Sequence, residues 1–233
     1  EVGESNDQPE VYFYNNIINT LHLLDSMAKH LVKKIVFSSS AAVYGQPDTV
    51  PIPEDAEINP LSPYGYTKLA MEKLIEHYQK RFAIEWVALR YFNASGASED
   101  SELGEAHDPE SHLIPITIDK LSRGQTMKAF GGDYLTKDGT CLRDYINVED
   151  LADAHVKALE ASGENVDRPY NLGSGNGYTV KEVIENTARI LDVEPKWEAV
   201  ERRPGDPAKL VAESSAFQEA TGWRLNRSDI DTI

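Results

Sequence analysis

The chain has 233 residues, 40% of them apolar, enough to bury a sizeable core in one or two domains. Its formal net charge of −16 excludes a generic nucleic-acid surface and adhesion to anionic lipid, so any phosphate it binds must be held by individual arginines or helix N-termini. A single cysteine, Cys141, rules out an intrachain disulfide and fits a reducing cytosol; no apolar run is as long as a membrane span and no signal peptide opens the chain, so a cytoplasmic protein is expected.

In chain order, EVGESNDQPEVYFYNN enters a helix with no strand before it, and SDIDTI stops where a helix is expected to begin, so both ends read as cut. In NNIINTLHLLDSMAKHL the spacing of Ile17, Leu21, Leu24, Ala28 and Leu31 predicts a helix. KKIVFSSS reads as a short buried strand, and QPDTVPIPEDAEINPLSP as a Pro-rich connection. A second helix follows, expected to bury Met71, Leu74, Ile75, Tyr78 and Phe82, and IEWVALRYF is another buried strand. This strand–helix–strand alternation predicts an α/β fold with a doubly wound parallel sheet.

Beyond Asn93 the texture changes to loops rich in Gly, Asp and Pro between short elements, which predicts a smaller, mixed α/β second portion. VEDLADAHVKALE and TVKEVIENTARILD are helices, the latter with a Thr179/Glu182 capping box. NLGSGNG is read as a tight turn before that helix. It is not the full Gly-x-Gly-x-x-Gly of a dinucleotide loop and does not open the first unit of a sheet. His107, His112 and His155 show no metal-ligand spacing, and no metal is expected.

The chemistry-bearing residues start with FSSSAAVYG, where three serines end a strand, because ligands of open α/β sheets bind beyond the carboxyl ends of the strands. Taken alone, Ser-Ser-Ser is more simply a turn or a helix cap. In SPYGYTK, Tyr64 and Lys68 are four apart and share one helix face. An ammonium there would pull a tyrosine pKa down from about 10 and make Tyr64 a general base. Tyr-x-x-x-Lys also occurs by chance on many helices. A serine at a strand end, followed by that pair on the next helix, makes a Ser–Tyr–Lys set.

With this set the sequence strongly resembles the extended short-chain dehydrogenase/reductase family, and within it the enzymes that epimerise UDP-hexoses at C4. The likeness runs over nearly the whole chain, through SSSAAVYG, SPYGYTK, LRYFNASGA, HLIP, DGTCLRDYINVEDLADAH, YNLGSGNGYTV and RRPGDPAKLVAE. It implies a Rossmann-like NAD-binding domain whose remainder is 1–92. A domain mainly for the UDP-sugar would occupy 93–233, with segments around 144–172 returning to the first. It further implies an NAD-dependent isomerase that interconverts UDP-glucose and UDP-galactose through a 4-keto sugar, working as a homodimer.

Carried over by resemblance, Ser40 and Tyr64 stand at the sugar 4-hydroxyl, and Lys68 binds the nicotinamide ribose while lowering the tyrosine pKa. Asn15 and Phe92 line the NAD site. Asn93 contacts the sugar nucleotide, as does Leu113 through its backbone, and Lys128 and Phe130 flank the uracil. Arg143 and Arg203 grip the diphosphate and Asp206 the uridine ribose; from the residues alone, Arg143 pairs as readily with Asp144. Leu210 sits where the family sets the room around the sugar C2 substituent, so a UDP-N-acetylglucosamine epimerase is the near alternative. A dehydratase or decarboxylase is the further one, disfavoured because Ser40-Ala41-Ala42 offers no carboxylate.

Ser111-His112 stands where many members have Asn-Asn, Asn147 replaces a common His, and Tyr66 lies inside the base motif. The family's Gly-rich phosphate turn, the acidic residue after it and roughly four strands are not among these residues. The chain is therefore expected to be part of a longer product, with poor NAD binding by this part alone.

Overall fold

The computed structural model describes residues 2–203 and 206–233. Three short α-helices open the chain, α1 (Val2–Asp7), α2 (Pro9–Tyr12) and α3 (Asn19–Lys29), with a π-helical stretch at Phe13–Ile18 between the last two. Strand β1 (Lys34–Ser40), helix α4 (Pro63–Phe82) and strand β2 (Glu85–Tyr91) follow. β1 and β2 pair in parallel from Lys34↔Glu85 to Ser40↔Tyr91. A strand from much later in the chain, β7 (Arg168–Leu172), completes this sheet by pairing in parallel with β2, giving the order β1-β2-β7.

Strand alternation explains how the sheet is held. Successive side chains point to opposite faces. Val87 and Leu89 enter one core with Tyr170, Leu172, Phe217 and Trp223, while Trp86 and Ala88 enter another with Leu24, Met27, Ile75 and Ile84. Both faces are thus covered, as parallel sheets require. The first core is roofed by α6 (Val148–Glu160) and α8 (Ser215–Thr221), the second by α3 and α4.

Two helical expectations need correction. α3 stops at Lys29, so Leu31 lies outside it with φ of 59° and is 72% exposed, and Met27 takes the buried place. On α4, Met71 and Ile75 are buried but Phe82, in the last turn, is exposed. Ser62 caps this helix, accepting from the Gly65 N–H at 3.1 Å, and Pro63 follows at the first helical position.

The second half is built of small sheets. β3 (Asn93–Ser95) pairs with β6 (Tyr145–Asn147), and β4 (Met127–Phe130) with β9 (Trp197–Val200), both in parallel. β10 (Lys209–Leu210), β5 (Leu142–Arg143) and β8 (Tyr178–Thr179) form a third. α5 (Leu113–Ser122) packs on α7 (Val180–Leu191) through Leu121, Ile184 and Ala188, with Met127 of β4 in the same core. Thr179 and Glu182 form the expected capping box.

Buried carboxylates do much of the fastening here. Asp144 accepts from the N–H groups of Ser174, Gly175 and Ala212 at 2.7, 3.0 and 2.9 Å, and from the Ser174 hydroxyl. NLGSGNG is the turn that wraps it. A Cβ on Gly173 would come within 2.5 Å of the Asp144 carboxylate, so only glycine fits. Asp150 likewise accepts from the N–H groups of Asn226 and Arg227 and from the Ser228 hydroxyl.

Candidate active site

β1 ends in three serines that do three different things. The Ser38 carbonyl accepts from Lys68 Nζ at 2.9 Å, and its hydroxyl lies 3.2 Å from His155 Nε2. The Ser39 hydroxyl donates to Glu72 Oε1 at 2.5 Å. Ser40 caps the short 3-10 turn Ala41–Tyr44, accepting from the Ala42 N–H at 3.2 Å, and its side chain lies near enough to the Tyr64 phenol to favour the ionised form in part. Cap and catalytic candidate are the same residue.

Tyr64 sits in the first turn of α4, fixed by the Ser62 cap and by its own N–H, which donates to the buried Ser5 hydroxyl at 3.2 Å. Lys68, one turn on, holds its ammonium 5.5 Å from the centroids of both the Tyr64 and the Phe37 rings. The direction of the tyrosine shift is opposite to that expected. Burial pushes the Tyr64 phenol up, the Ser40 hydroxyl only partly opposes this, and Tyr91 adds to it. Burial in turn lowers Lys68. The ammonium is turned to the Ser38 carbonyl, and desolvation decides the outcome for both groups.

Phe92 follows β2 directly and is buried in a small core with Ala41, Val43, Tyr44 and Ala212, against which Leu210 packs. Leu210 is also the register partner of Arg143. One residue therefore links the serine end of β1 to the arginine strand. Asn93 is brought to the same strand, donating from its N–H at 3.1 Å and from Nδ2 at 2.6 Å to the Asp144 carbonyl.

Arg143 pairs with Asp206 across 63 positions of sequence, not with its neighbour Asp144. The Arg203 guanidinium lies 4.0 Å over the Phe130 ring. Lys128 and Phe130 are the outward positions of β4, alternating with the buried Met127 and Ala129. Leu113 begins α5 behind an extended His112. Asn15 lies exposed on the π-helical stretch, and it is Asn16 that reaches α4, donating to Thr67 Oγ1 at 2.9 Å.

The sequence reading missed a buried pair behind the serines. Glu72 and Arg90 are 3% and 5% exposed, and Arg90 donates to both carboxylate oxygens at 2.6 and 2.9 Å. Arg90 also reaches the Tyr44 hydroxyl at 3.0 Å, which in turn donates to Asn171 at 2.7 Å. The pair thus props Ser39 on one side and the 3-10 turn after Ser40 on the other. The available signal was a charge inside each of two apolar stretches, Glu72 beside Met71 and Arg90 within WVALRY.

On this sheet a serine, a tyrosine and a lysine gather at one carboxyl strand end, where open α/β sheets bind their ligands. The chain belongs to the NAD dependent epimerase/dehydratase family, whose profile matches residues 1–173. It is 46% identical to the UDP-glucose 4-epimerase of Halalkalibacterium halodurans, over 100% of this chain and 70% of that protein. The crystal structure of UDP-glucose 4-epimerase from Brucella ovis in complex with NAD superposes with a TM-score of 0.94 at 42% identity, over 100% of this chain and 72% of that one. That of Stenotrophomonas maltophila, with bound NAD and formylated UDP-arabinopyranose, gives a TM-score of 0.93 at 37% identity, over 100% and 70%. Among the described residues, no helix is long and apolar enough to cross a membrane.

Proposed function

We propose that this protein is an NAD-dependent isomerase that interconverts UDP-glucose and UDP-galactose. The observation that carries the reading is the buried Tyr64 phenol beside the Ser40 end of β1, with the Lys68 ammonium 5.5 Å from its ring, in a chain 46% identical to a UDP-glucose 4-epimerase.

Lys68 fits the ribose part of the cofactor. An ammonium has three donors, the Ser38 carbonyl takes one from Lys68, and the other two suit a ribose diol. Asn15 and Phe92 complete that side. When bound there, NAD would supply the acceptor and donor for the hydride of the sugar C4.

Tyr64 accepts the proton of the 4-hydroxyl and later gives it back to the 4-keto sugar, with Ser40 holding the same oxygen in line. The base is the Tyr64 phenolate, which burial disfavours in the protein by itself; bound NAD⁺, with Lys68 on its ribose, would supply the positive charge that offsets this. Arg143 and Arg203 hold the diphosphate; both guanidiniums now rest on an acid or a ring that a phosphate can replace. Release of Arg143 frees Asp206 for the uridine ribose. Phe130 and Lys128 flank the uracil, and Asn93 and the Leu113 backbone hold the remaining contacts.

The nucleotide is thereby fixed while the hexose turns over between hydride removal and return. Elimination of water lacks an acid at this strand end, where Ala41 and Ala42 follow Ser40. Incubating the full-length protein with UDP-galactose and NAD and separating the products tests the reading. UDP-glucose is expected, and a 4-keto-6-deoxy sugar as the sole product overturns it.

The same reading divides the chain at 92/93, with β7 and its flank returning to the first domain, and places the protein in the cytoplasm. It also makes the protein a homodimer. Val11, Phe13, Tyr14 and Ile18 of the N-terminal helical run and Tyr66 of α4 are exposed, and Phe13 stacks edge-on with Tyr66 at 5.9 Å. A helix-on-helix contact with a second copy would cover them. Light scattering that gives a monomer at micromolar concentration rejects it.

A further inference from the structure

The loop between β3 and α5 gathers four side chains that have no part in the reading above. Glu105 Oε1 lies 2.9 Å from His107 Nδ1 and also pairs with His112 Nδ1. Glu110 Oε1 is 3.0 Å from the same His112 nitrogen, and the two imidazole rings stand 4.9 Å apart. One donor atom from each of the four residues lies within 4.8 Å of all the others. In the sequence this is Glu-x-His-x-x-Glu-x-His, a spacing that looks unlike any metal motif until the loop folds.

We propose that Glu105, His107, Glu110 and His112 form a binding site for one divalent transition-metal ion of the zinc type. Two imidazole nitrogens and two carboxylate oxygens are the ligand set that zinc and its neighbours take, at about 2.0–2.2 Å each. The four side chains are at or near the surface and reach those distances by rotation.

The charges match as well. Each Nδ1 that meets a carboxylate carries its proton on that side. A divalent cation would take the place of those protons, which move to Nε2 or to solvent, and the two carboxylates would balance its charge. Glu110 is already oriented for this. Its Oε1 accepts from the N–H groups of Ser111 at 2.7 Å and His112 at 2.8 Å, the kind of support that fixes a ligating carboxylate.

His112 is the residue immediately before α5, so the ion would tie the loop after β3 to the start of that helix. The site does not depend on the epimerase reading. It can be tested on the protein without substrate or cofactor.

The experiment titrates the chelator-treated protein with Zn²⁺ by calorimetry and with Co²⁺ by its visible d–d absorption. Saturable binding of one ion per chain is expected, with intense, tetrahedral-type cobalt bands. His107→Ala and His112→Ala should each weaken it by about tenfold or more, and the double variant should abolish it. Glu105→Gln, which keeps the size and a hydrogen bond, should weaken it too. His77→Ala, on the exposed side of α4, should not. No saturable binding, or binding that survives intact in the double-histidine variant, overturns the proposal.

Discussion

Around Ser40, Tyr64 and Lys68 the functional groups ride on long regular elements, a seven-residue strand and a twenty-residue helix. They are backed by two cores and a buried Glu72–Arg90 pair. Around Arg143, Asp206 and Arg203 they ride on a two-residue strand and loops, fastened by carboxylates that catch backbone N–H groups. The first arrangement suits proton transfer, which needs its atoms held to a fraction of an ångström. The second suits a grip whose ion pairs exchange partners when phosphate arrives. Substitutions in the two regions should therefore fail in different ways, one in rate or stability and the other in binding.

The largest expected effect is on rate. Tyr64→Phe removes the base and should lower turnover by about 10²–10⁴ while the protein still melts as the parent does. An unchanged rate in a coupled UDP-galactose assay would take Tyr64 out of its role.

Next comes stability. Glu72→Ala leaves the Arg90 charge buried without its partner and should cost about 3–5 kcal/mol, seen as a lower urea midpoint. A midpoint as high as the parent's would mean that the serine end of β1 is supported by something else.

Leu210 lies between the two regions, packing on the Phe92 core and pairing in register with Arg143. Preference for UDP-glucose over UDP-N-acetylglucosamine should be about 10- to 200-fold in kcat/KM. Leu210→Tyr should remove the acetylated activity and Leu210→Ser should raise it. Ratios unmoved by either change would place Leu210 outside the pocket.

Arg143→Lys keeps the charge but loses the fork. About one hydrogen bond, 0.5–1.5 kcal/mol, should disappear from UDP binding, read as a modest rise in Kd with no change in melting.

The smallest effect is a titration. Because burial raises the folded-state pKa of Tyr64, its protonated form contributes stability that is intact below about pH 10 and lost as pH rises through the folded value. In the protein alone, Ser40→Ala should move the Tyr64 titration further up, followed by NMR of ring-labelled tyrosine. Lys68→Met should leave it nearly in place. A large upward move in the lysine variant instead would restore the ammonium as the tuning charge.

The parallel sheet was legible from KKIVFSSS and IEWVALRYF because β-branched and apolar runs bounded by turns have few other uses, and β1 and β2 pair along all seven residues. The placement of the candidate Ser–Tyr–Lys set was legible because strand end and helix face follow from local spacing: Ser40 ends β1, and Tyr64 and Lys68 lie one turn apart on α4. What spacing could not give was any pairing between distant segments. Arg143 finds Asp206, Asp144 finds residues 174, 175 and 212, and Glu72 finds Arg90 only after the chain has folded. The tyrosine shift was misjudged for a related reason. Helical spacing shows that a lysine is near, but not that both groups are desolvated.

The π-helical stretch at Phe13–Ile18 holds more residues per turn than the α-helices on either side of it. It therefore acts as a phase shift in the sequence. A helical wheel drawn straight through it assigns Ile17 and Leu24 to a single stripe and misplaces everything before the shift. Removing one residue there would restore a continuous α-helix and turn the preceding segment by about 100° about its axis. That rotation would carry Tyr12 away from the edge of the Tyr64 ring, 6.3 Å off, and Ser5 away from the Tyr64 N–H, while α3 kept its seat on Ile75. Laid against an unbroken α-helix, this stretch carries one residue more, and the place of that residue sets which side of the preceding segment faces the tyrosine.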